Sequence, residues 1–128
     1  GILKTLQIPT KFNIVAPIGN GKQYQSWIHE YDLSNMIMES IFNKWFGVYN
    51  AVSPNPIKQK KFIRLYAKSL NKISLPIPIP KIIIRLLFGK MSVLIFNSQY
   101  VSSKKIMNSG FIFKFPKIKE AFLNLVKD

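Results

Sequence analysis

The chain contains no cysteine. That absence excludes a disulfide framework, a thiolate zinc site and a cysteine nucleophile, and it suits a reducing cytoplasm, where the protein is expected. Histidine and acids are also scarce: His29 is the one histidine, and the carboxylates are Glu30, Asp32, Glu39, Glu120 and Asp128. No histidine pair stands at i, i+4 and no carboxylates cluster, so no metal-ligand pattern is present. A Ser-His-Asp set finds no nucleophile-elbow pattern to support it. The most apolar stretch, Ile82 to Phe96, is broken by Arg85 and Lys90. It falls short of the roughly 20 apolar residues that span a bilayer and reads as one or two buried helices, so no membrane partner is expected. The N-terminal Gly1-Ile2-Leu3-Lys4 shows no secretory signal pattern. Gly1 in place of methionine points to a natural start further upstream.

What is present is enough for one core. A chain of 128 residues, 48% hydrophobic and 19% charged, has the size and composition of one folded domain. Basic residues outnumber acids 19 to 5, a formal +14. Only Arg64 and Arg85 are arginines, whereas base reading and bidentate phosphate grip favour arginine. The lysines are also spread along the chain, in a composition rich in Ile, Lys, Asn and Phe. A solvated lysine coat is therefore preferred to a nucleic-acid partner. The alternative is a basic module that uses a helix over Lys58–Lys72 on nucleic acid or an anionic surface. It predicts that the cations of this helix gather on one face, with steep salt dependence.

Along the chain, Gly19-Asn20-Gly21 marks a turn and Ser26-Trp27-Ile28-His29 a short strand. Asp32 is placed to cap a helix whose apolar face is Leu33, Met36, Ile37 and Ile41, with Ser40 beside them. Gly47–Val52 reads as a second strand, stopped by Ser53-Pro54-Asn55-Pro56. A basic helix from about Lys58 to Leu70 sets Phe62, Tyr66 and Leu70 on one side and Lys60, Arg64 and Lys68 on another. Leu75–Pro80 is an extended connector, because each proline biases its predecessor away from helix. Short helices follow at Lys81–Phe88, ended by Gly89, and at Lys90–Phe96. A helix near Ser103–Ser109, a strand at Phe111–Phe115 and a final helix carrying Ile118, Ala121, Phe122, Leu125 and Val126 complete the chain. Short strands with about five helices give an α/β class, α+β for the isolated fragment.

Two motifs invite a chemical reading and do not support it. Gly19-Asn20-Gly21 has Tyr24 where the dinucleotide fingerprint needs a third glycine, and it precedes a strand instead of following one. Tyr100 and Lys104 have a Tyr-x-x-x-Lys spacing, which is frequent by chance in a lysine-rich chain. His29 on a strand reads as a packed residue rather than a general base.

Two longer stretches carry a resemblance. Gly19-Asn20-Gly21-Lys22-Gln23-Tyr24-Gln25-Ser26-Trp27-Ile28-His29-Glu30-Tyr31-Asp32-Leu33 is similar to a G-x-G-x-Q-x-x-x-[WF]-[IV]-H-x-x-D-[LI] segment of extended short-chain dehydrogenase/reductases. Gly47-Val48-Tyr49-Asn50-Ala51-Val52-Ser53-Pro54-Asn55-Pro56 resembles their G-x-Y-N-[LV]-x-[AS]-P-x-P segment. With Leu75-Pro76-Ile77-Pro78, Arg85–Ser92 and Ser109–Pro116, these look like the bacterial nucleoside-diphosphate-sugar epimerase subfamily, which carries its own C-terminal domain of unknown function.

The resemblance implies the C-terminal part of a Rossmann-type epimerase. Residues 1–56 would belong to the Rossmann and substrate region, and residues 57–128 to a helical substrate-side domain. The partner would be a missing N-terminal Rossmann domain holding NAD or NADP and the catalytic Tyr-x-x-x-Lys, so Tyr100 and Lys104 are a decoy. This chain alone would bind no cofactor, hold no metal and supply no catalytic residue. Lys22, Gln23, Ser26, His29, Asn50 and Ser53 would line the substrate cleft, with a small molecule, such as a nucleotide sugar, as ligand. Where sugar-nucleotide enzymes place a phosphate-gripping arginine, this chain has Gln25. Lys58, Lys61 and Lys117 replace helix-capping residues, so those helices should be poorly capped unless Asn55 serves.

Overall fold

The computed structural model describes residues 14–126, a mixed α/β arrangement in which helices make up most of the regular secondary structure. The strands are two residues each: β1 (Ile14–Val15), β2 (Tyr24–Gln25), β3 (Ile57–Lys58) and β4 (Ile73–Ser74). The helices among the described residues are α1 (Glu30–Phe42), α2 (Gln59–Ser69), α3 (Lys81–Phe88), α4 (Ser92–Phe96), α5 (Lys104–Asn108) and α6 (Ile118–Leu125). A 3-10 turn at Gly89–Met91 joins α3 to α4. β1 pairs parallel with β4, Ile14 opposite Ile73, and β2 pairs antiparallel with β3, Tyr24 opposite Lys58.

The basic helix is the centre of the main core. Phe62, Ile63, Tyr66 and Ala67 recur at i, i+1, i+4 and i+5, so they form one apolar stripe, and all four are buried. They pack with Val15, Ile18, Ile57, Ile84, Ile118 and Phe122. Phe122 meets Phe62 edge to face at 5.1 Å and Tyr66 at 5.4 Å, which fixes α6 across α2. A smaller core joins Met36 of α1 to Ile106 of α5 and to Phe111, with Trp45, Tyr49 and Phe113 around it.

The connector Leu75–Pro80 bends at Pro76 and Ile77 instead of running extended throughout, and it lies beside residues 15–19. Leu75 N–H donates to Val15 O at 2.8 Å, Ile79 N–H to Pro17 O at 2.7 Å, and Gly19 N–H to Ile79 O at 3.2 Å. β1 and β4 extend in this way into a longer parallel track than their strand lengths suggest.

Three strands read from the sequence, at 26–29, 47–52 and 111–115, are not strands here. An alternating pattern makes a strand only where a neighbouring backbone supplies the ladder. Here Ser53 N–H reaches Trp27 O at 2.6 Å, but no ladder propagates from it. Segment 111–115 gives its backbone to a side chain instead. The helix of residues 30–42 is also capped differently. His29, not Asp32, is the N-cap, and its Nδ1 accepts the Tyr31 N–H at 3.1 Å. Asp32 sits one turn in, at 1% exposure, with its carboxylate committed elsewhere.

At the starts of α2 and α6 neither Lys58 nor Lys117 provides a side-chain capping bond. For α2 the backbone compensates. Gln59 N–H donates to Gln23 O at 2.9 Å and Lys60 N–H to Gly21 O at 3.0 Å, so the 21–23 turn caps the helix. Asn55 does not cap it, since its amide donates to Pro116 O at 2.9 Å.

Candidate functional site

Five of the six candidate residues fall into three groups, and His29 stands apart. The first stabilises the turn before α2. Gln23 is buried, and its Nε2 donates to Ile18 O at 3.0 Å. Gln59, which sequence reasoning passed over, accepts the Ile18 N–H on Oε1 at 3.2 Å from inside the core, at 1% exposure. A glutamine in a basic helix gives no signal of this in the sequence. Lys22 is exposed, and its N–H closes a small turn on Asn20 Oδ1 at 3.0 Å.

The second group holds the segment 98–103. Ser26 Oγ donates to Gln99 O at 2.9 Å and accepts the Val101 N–H at 3.0 Å. Tyr24 N–H donates to Ser98 Oγ at 3.0 Å, and Tyr24 O accepts the Gln99 N–H at 2.8 Å. Asn50, which is exposed, donates from Nδ2 to Ser102 O at 3.0 Å. Lys105 Nζ donates to Val48 O at 2.7 Å while lying 4.1 Å over the Tyr49 ring, which itself stacks on Trp45.

The third group holds the segment 111–116. Asp32 Oδ1 accepts the Lys114 N–H at 2.8 Å and Oδ2 accepts the Phe115 N–H at 3.0 Å. Ser53, 1% exposed, donates from Oγ to Pro116 O at 3.1 Å. Trp27 Nε1 donates to Asn55 O at 2.8 Å, anchoring the loop that carries Asn55. The motif residues therefore act on backbone: Ser26, Asn50, Asp32, Ser53 and Asn55 form a polar saddle on which residues 98–116 sit.

His29 stands beside this saddle. It is 4% exposed, with its ring 4.2 Å from that of Phe115. Since Nδ1 accepts from Tyr31, the neutral ring carries its proton on Nε2, and Nε2 has no hydrogen-bond partner among the described residues. An open depression of about 500 Å³ lies at this end of α1, lined by His29, Glu30, Tyr31, Lys114 and Phe115 among others. Lys114 Nζ lies 4.2 Å over the Tyr31 ring at its edge.

The glycine turn is not shaped to take a pyrophosphate. Gly19 and Gly21 have φ of +64° and +66°, as the turn requires. A Cβ at Gly21 would lie 3.0 Å from Lys60 Cβ, and one at Gly19 would lie 3.3 Å from the Phe96 ring. Both faces are packed by side chains where a cofactor would need open backbone. Tyr100 lies outside any helix, before α5, its ring in edge contact with Tyr24 at 5.0 Å, so no helical turn links it to Lys104. Among the described residues no group of three or more His, Cys, Asp or Glu side chains could hold a metal ion. No helix of the described residues is long and apolar enough to cross a membrane. Burial pushes the Tyr66 phenol above its ordinary value, but Tyr66 belongs to the core between α2 and α6.

Comparison with known proteins places these features. Residues 79–125 match the family model described as a domain of unknown function (DUF1731). Epimerase family protein SA0724 of Staphylococcus aureus (strain N315) is 34% identical over all of this chain, which covers 43% of that protein. Epimerase family protein YfhF of Bacillus subtilis (strain 168) is 33% identical over all of this chain, covering 42% of its length. The chain thus spans less than half the length of the curated relatives it matches. A crystal structure of human epimerase family protein SDR39U1 (isoform 2) with NADPH superposes with a TM-score of 0.91 at 24% identity. It covers all of this chain, which in turn covers 44% of the human one.

Proposed function

We propose, from the premise that this chain matches the C-terminal portion of an extended short-chain dehydrogenase/reductase of the epimerase family, that it forms the substrate-side wall of a two-part NAD(P)-dependent cytoplasmic enzyme. The chemistry and the dinucleotide belong to an N-terminal portion, and this chain alone is not catalytic. One observation carries the reading: a concentration of uncovered apolar surface on α1 and the loop after it. Ile37, Met38, Ile41, Phe42, Phe46 and Val48 are all exposed, Phe42 to 75%, Val48 to 83% and Phe46 to 94%. A patch of this kind marks a surface meant to be covered. Segment 47–52 forms no ladder among the described residues, which fits a segment whose partner backbone lies in the other portion.

Within this reading, Lys22 and Asn50 are the candidates that touch a ligand, because both are exposed. Gln23, Ser26, His29 and Ser53 shape the wall from behind. The ligand is a small molecule, and a nucleotide sugar is the leading class. With Gln25 in the half-buried β2, its phosphates would have to be met by Lys22 as a point charge instead of by an arginine fork.

The test uses this chain and the part of the S. aureus relative that lies outside the match, expressed separately. The two should co-elute on size exclusion, and the mixture should bind NADPH where this chain alone does not. The double variant Phe42→Asp, Phe46→Asp should keep its helical circular dichroism and fail to co-elute. If the unsubstituted parts never associate, or the double variant associates equally well, the reading is wrong.

A further inference from the structure

The exposed side of α2 sets four of the chain's 19 basic residues close together. Lys60, Arg64 and Lys68 stand at i, i+4 and i+8, about 6 Å apart along the axis, with Lys61 one turn from Arg64. All four are exposed, while Phe62, Ile63, Tyr66 and Ala67 are buried on the opposite face. None of the four cations has a side-chain partner among the described residues. The ion pair there is Lys117–Glu120 at 3.8 Å, on α6. The first turn of α2 carries no acid, and its N-cap is Lys58. Like charges held in register without counter-ions repel one another, so a partner with regularly spaced negative charge would relieve the cost.

We propose that this face of α2 docks on the phosphate backbone of duplex DNA, without reading its sequence, and that it does so independently of the epimerase-type reading. Charge complementarity sets the partner, and the rest of the face narrows it. Its apolar residues all point into the core, so nothing beside the lysines can insert into a bilayer and hold it there. The face exposes no aromatic ring on which single-stranded bases could stack. Its charges are mostly ammonium groups, which keep their water and suit a backbone that stays hydrated. The helix is about 16 Å long and a duplex carries one charge per ~1.7 Å of axis, so the row meets several phosphates.

The experiment is a fluorescence-anisotropy titration of the 128-residue chain against a 20-base-pair DNA duplex at salt concentrations from 50 to 200 mM. The net charge of +14 alone would give some binding, so the control removes equal charge elsewhere. The row variant is Lys60→Gln, Arg64→Gln, Lys68→Gln, and the matched variant is Lys44→Gln, Lys90→Gln, Lys104→Gln. The row variant should flatten the plot of log affinity against log salt by about 3, from ~0.9 per phosphate contact, and lose at least tenfold in affinity at the lowest salt. The matched variant should change the slope by less than 1. Equal losses in both variants, no loss in either, or stronger binding to phosphatidylserine vesicles than to the duplex would each overturn the proposal. Thermal melts of both variants within a few degrees of the unsubstituted chain exclude unfolding as the cause.

Discussion

Replacing Asp32 by asparagine separates two accounts of that residue by size and by place. The carboxylate accepts two backbone N–H groups, from Lys114 at 2.8 Å and Phe115 at 3.0 Å, at a position only 1% exposed. Asparagine keeps one acceptor oxygen and turns an NH2 group towards a donor. One bond to a charged acceptor is lost, at about 1.5–3 kcal/mol, and the other falls to the neutral level of about 1 kcal/mol. Relief from burying a charge returns part of this, so the expected net loss is about 2–3 kcal/mol. A residue that only capped α1 would cost about 1 kcal/mol. Urea unfolding at pH 7, with an unchanged denaturant slope, gives the size. Amide hydrogen exchange gives the place: Lys114 and Phe115 should lose protection roughly 30- to 100-fold, at 1.4 kcal/mol per factor of ten. A loss under 1 kcal/mol, or unchanged exchange at Lys114 and Phe115 with loosening confined to residues 31–35, would refute the reasoning.

Other substitutions probe the supports of the same wall. Gln59→Leu leaves the Ile18 N–H without its acceptor inside the core and should cost about 1–3 kcal/mol in urea unfolding, although it adds apolar volume. Phe122→Ala removes the ring that meets both Phe62 and Tyr66 and should cost about 3–5 kcal/mol, the largest effect proposed here. Tyr66→Phe tests pH dependence. Burial raises this phenol in the folded state, so the unfolded chain ionises first, near pH 10, and binds fewer protons above that point. The unsubstituted chain should therefore lose stability relative to Tyr66→Phe as pH rises through 10 and on to the raised value, with a constant difference below about pH 9. A difference that stays flat to pH 11 would show that the phenol is not shielded.

The elements most legible in the sequence are those whose partners lie within the chain. Phe62 and Tyr66 were placed on the buried face of α2 by spacing alone, and Ile118, Ala121 and Phe122 on that of α6, because these two helices pack on each other. The same reasoning at α1 set Met36, Ile37 and Ile41 on an inner face. Met36 is buried, but Ile37 and Ile41 are 53% and 67% exposed. Periodicity reports that a face is apolar, not where its cover resides. The strand pattern at 47–52 met a similar limit, since ladders depend on a second backbone. At Asp32 the limit is of another kind. Asp within a first helical turn looks like a cap, and only the tertiary path of residues 111–116 brings two N–H groups to its carboxylate. The saddle role of Ser26, Asn50 and Ser53 was equally hidden, because their acceptors are main-chain oxygens more than 50 residues away in sequence.

The saddle also bears on how such a sequence can be inherited. Homology draws a border at Ile79, where the family match begins. The hydrogen bonds recognise no such border. Segment 98–116 is held by Tyr24, Ser26, Asp32, Asn50, Ser53 and Asn55, and Ile79 itself pairs with Pro17 and Gly19. A recombination crossover at that border would deliver a segment to a host lacking its saddle, with peptide groups left unpaired on both sides of the joint. The recognisable module and the heritable one are therefore different pieces of chain, and the heritable one reaches back at least to Pro17.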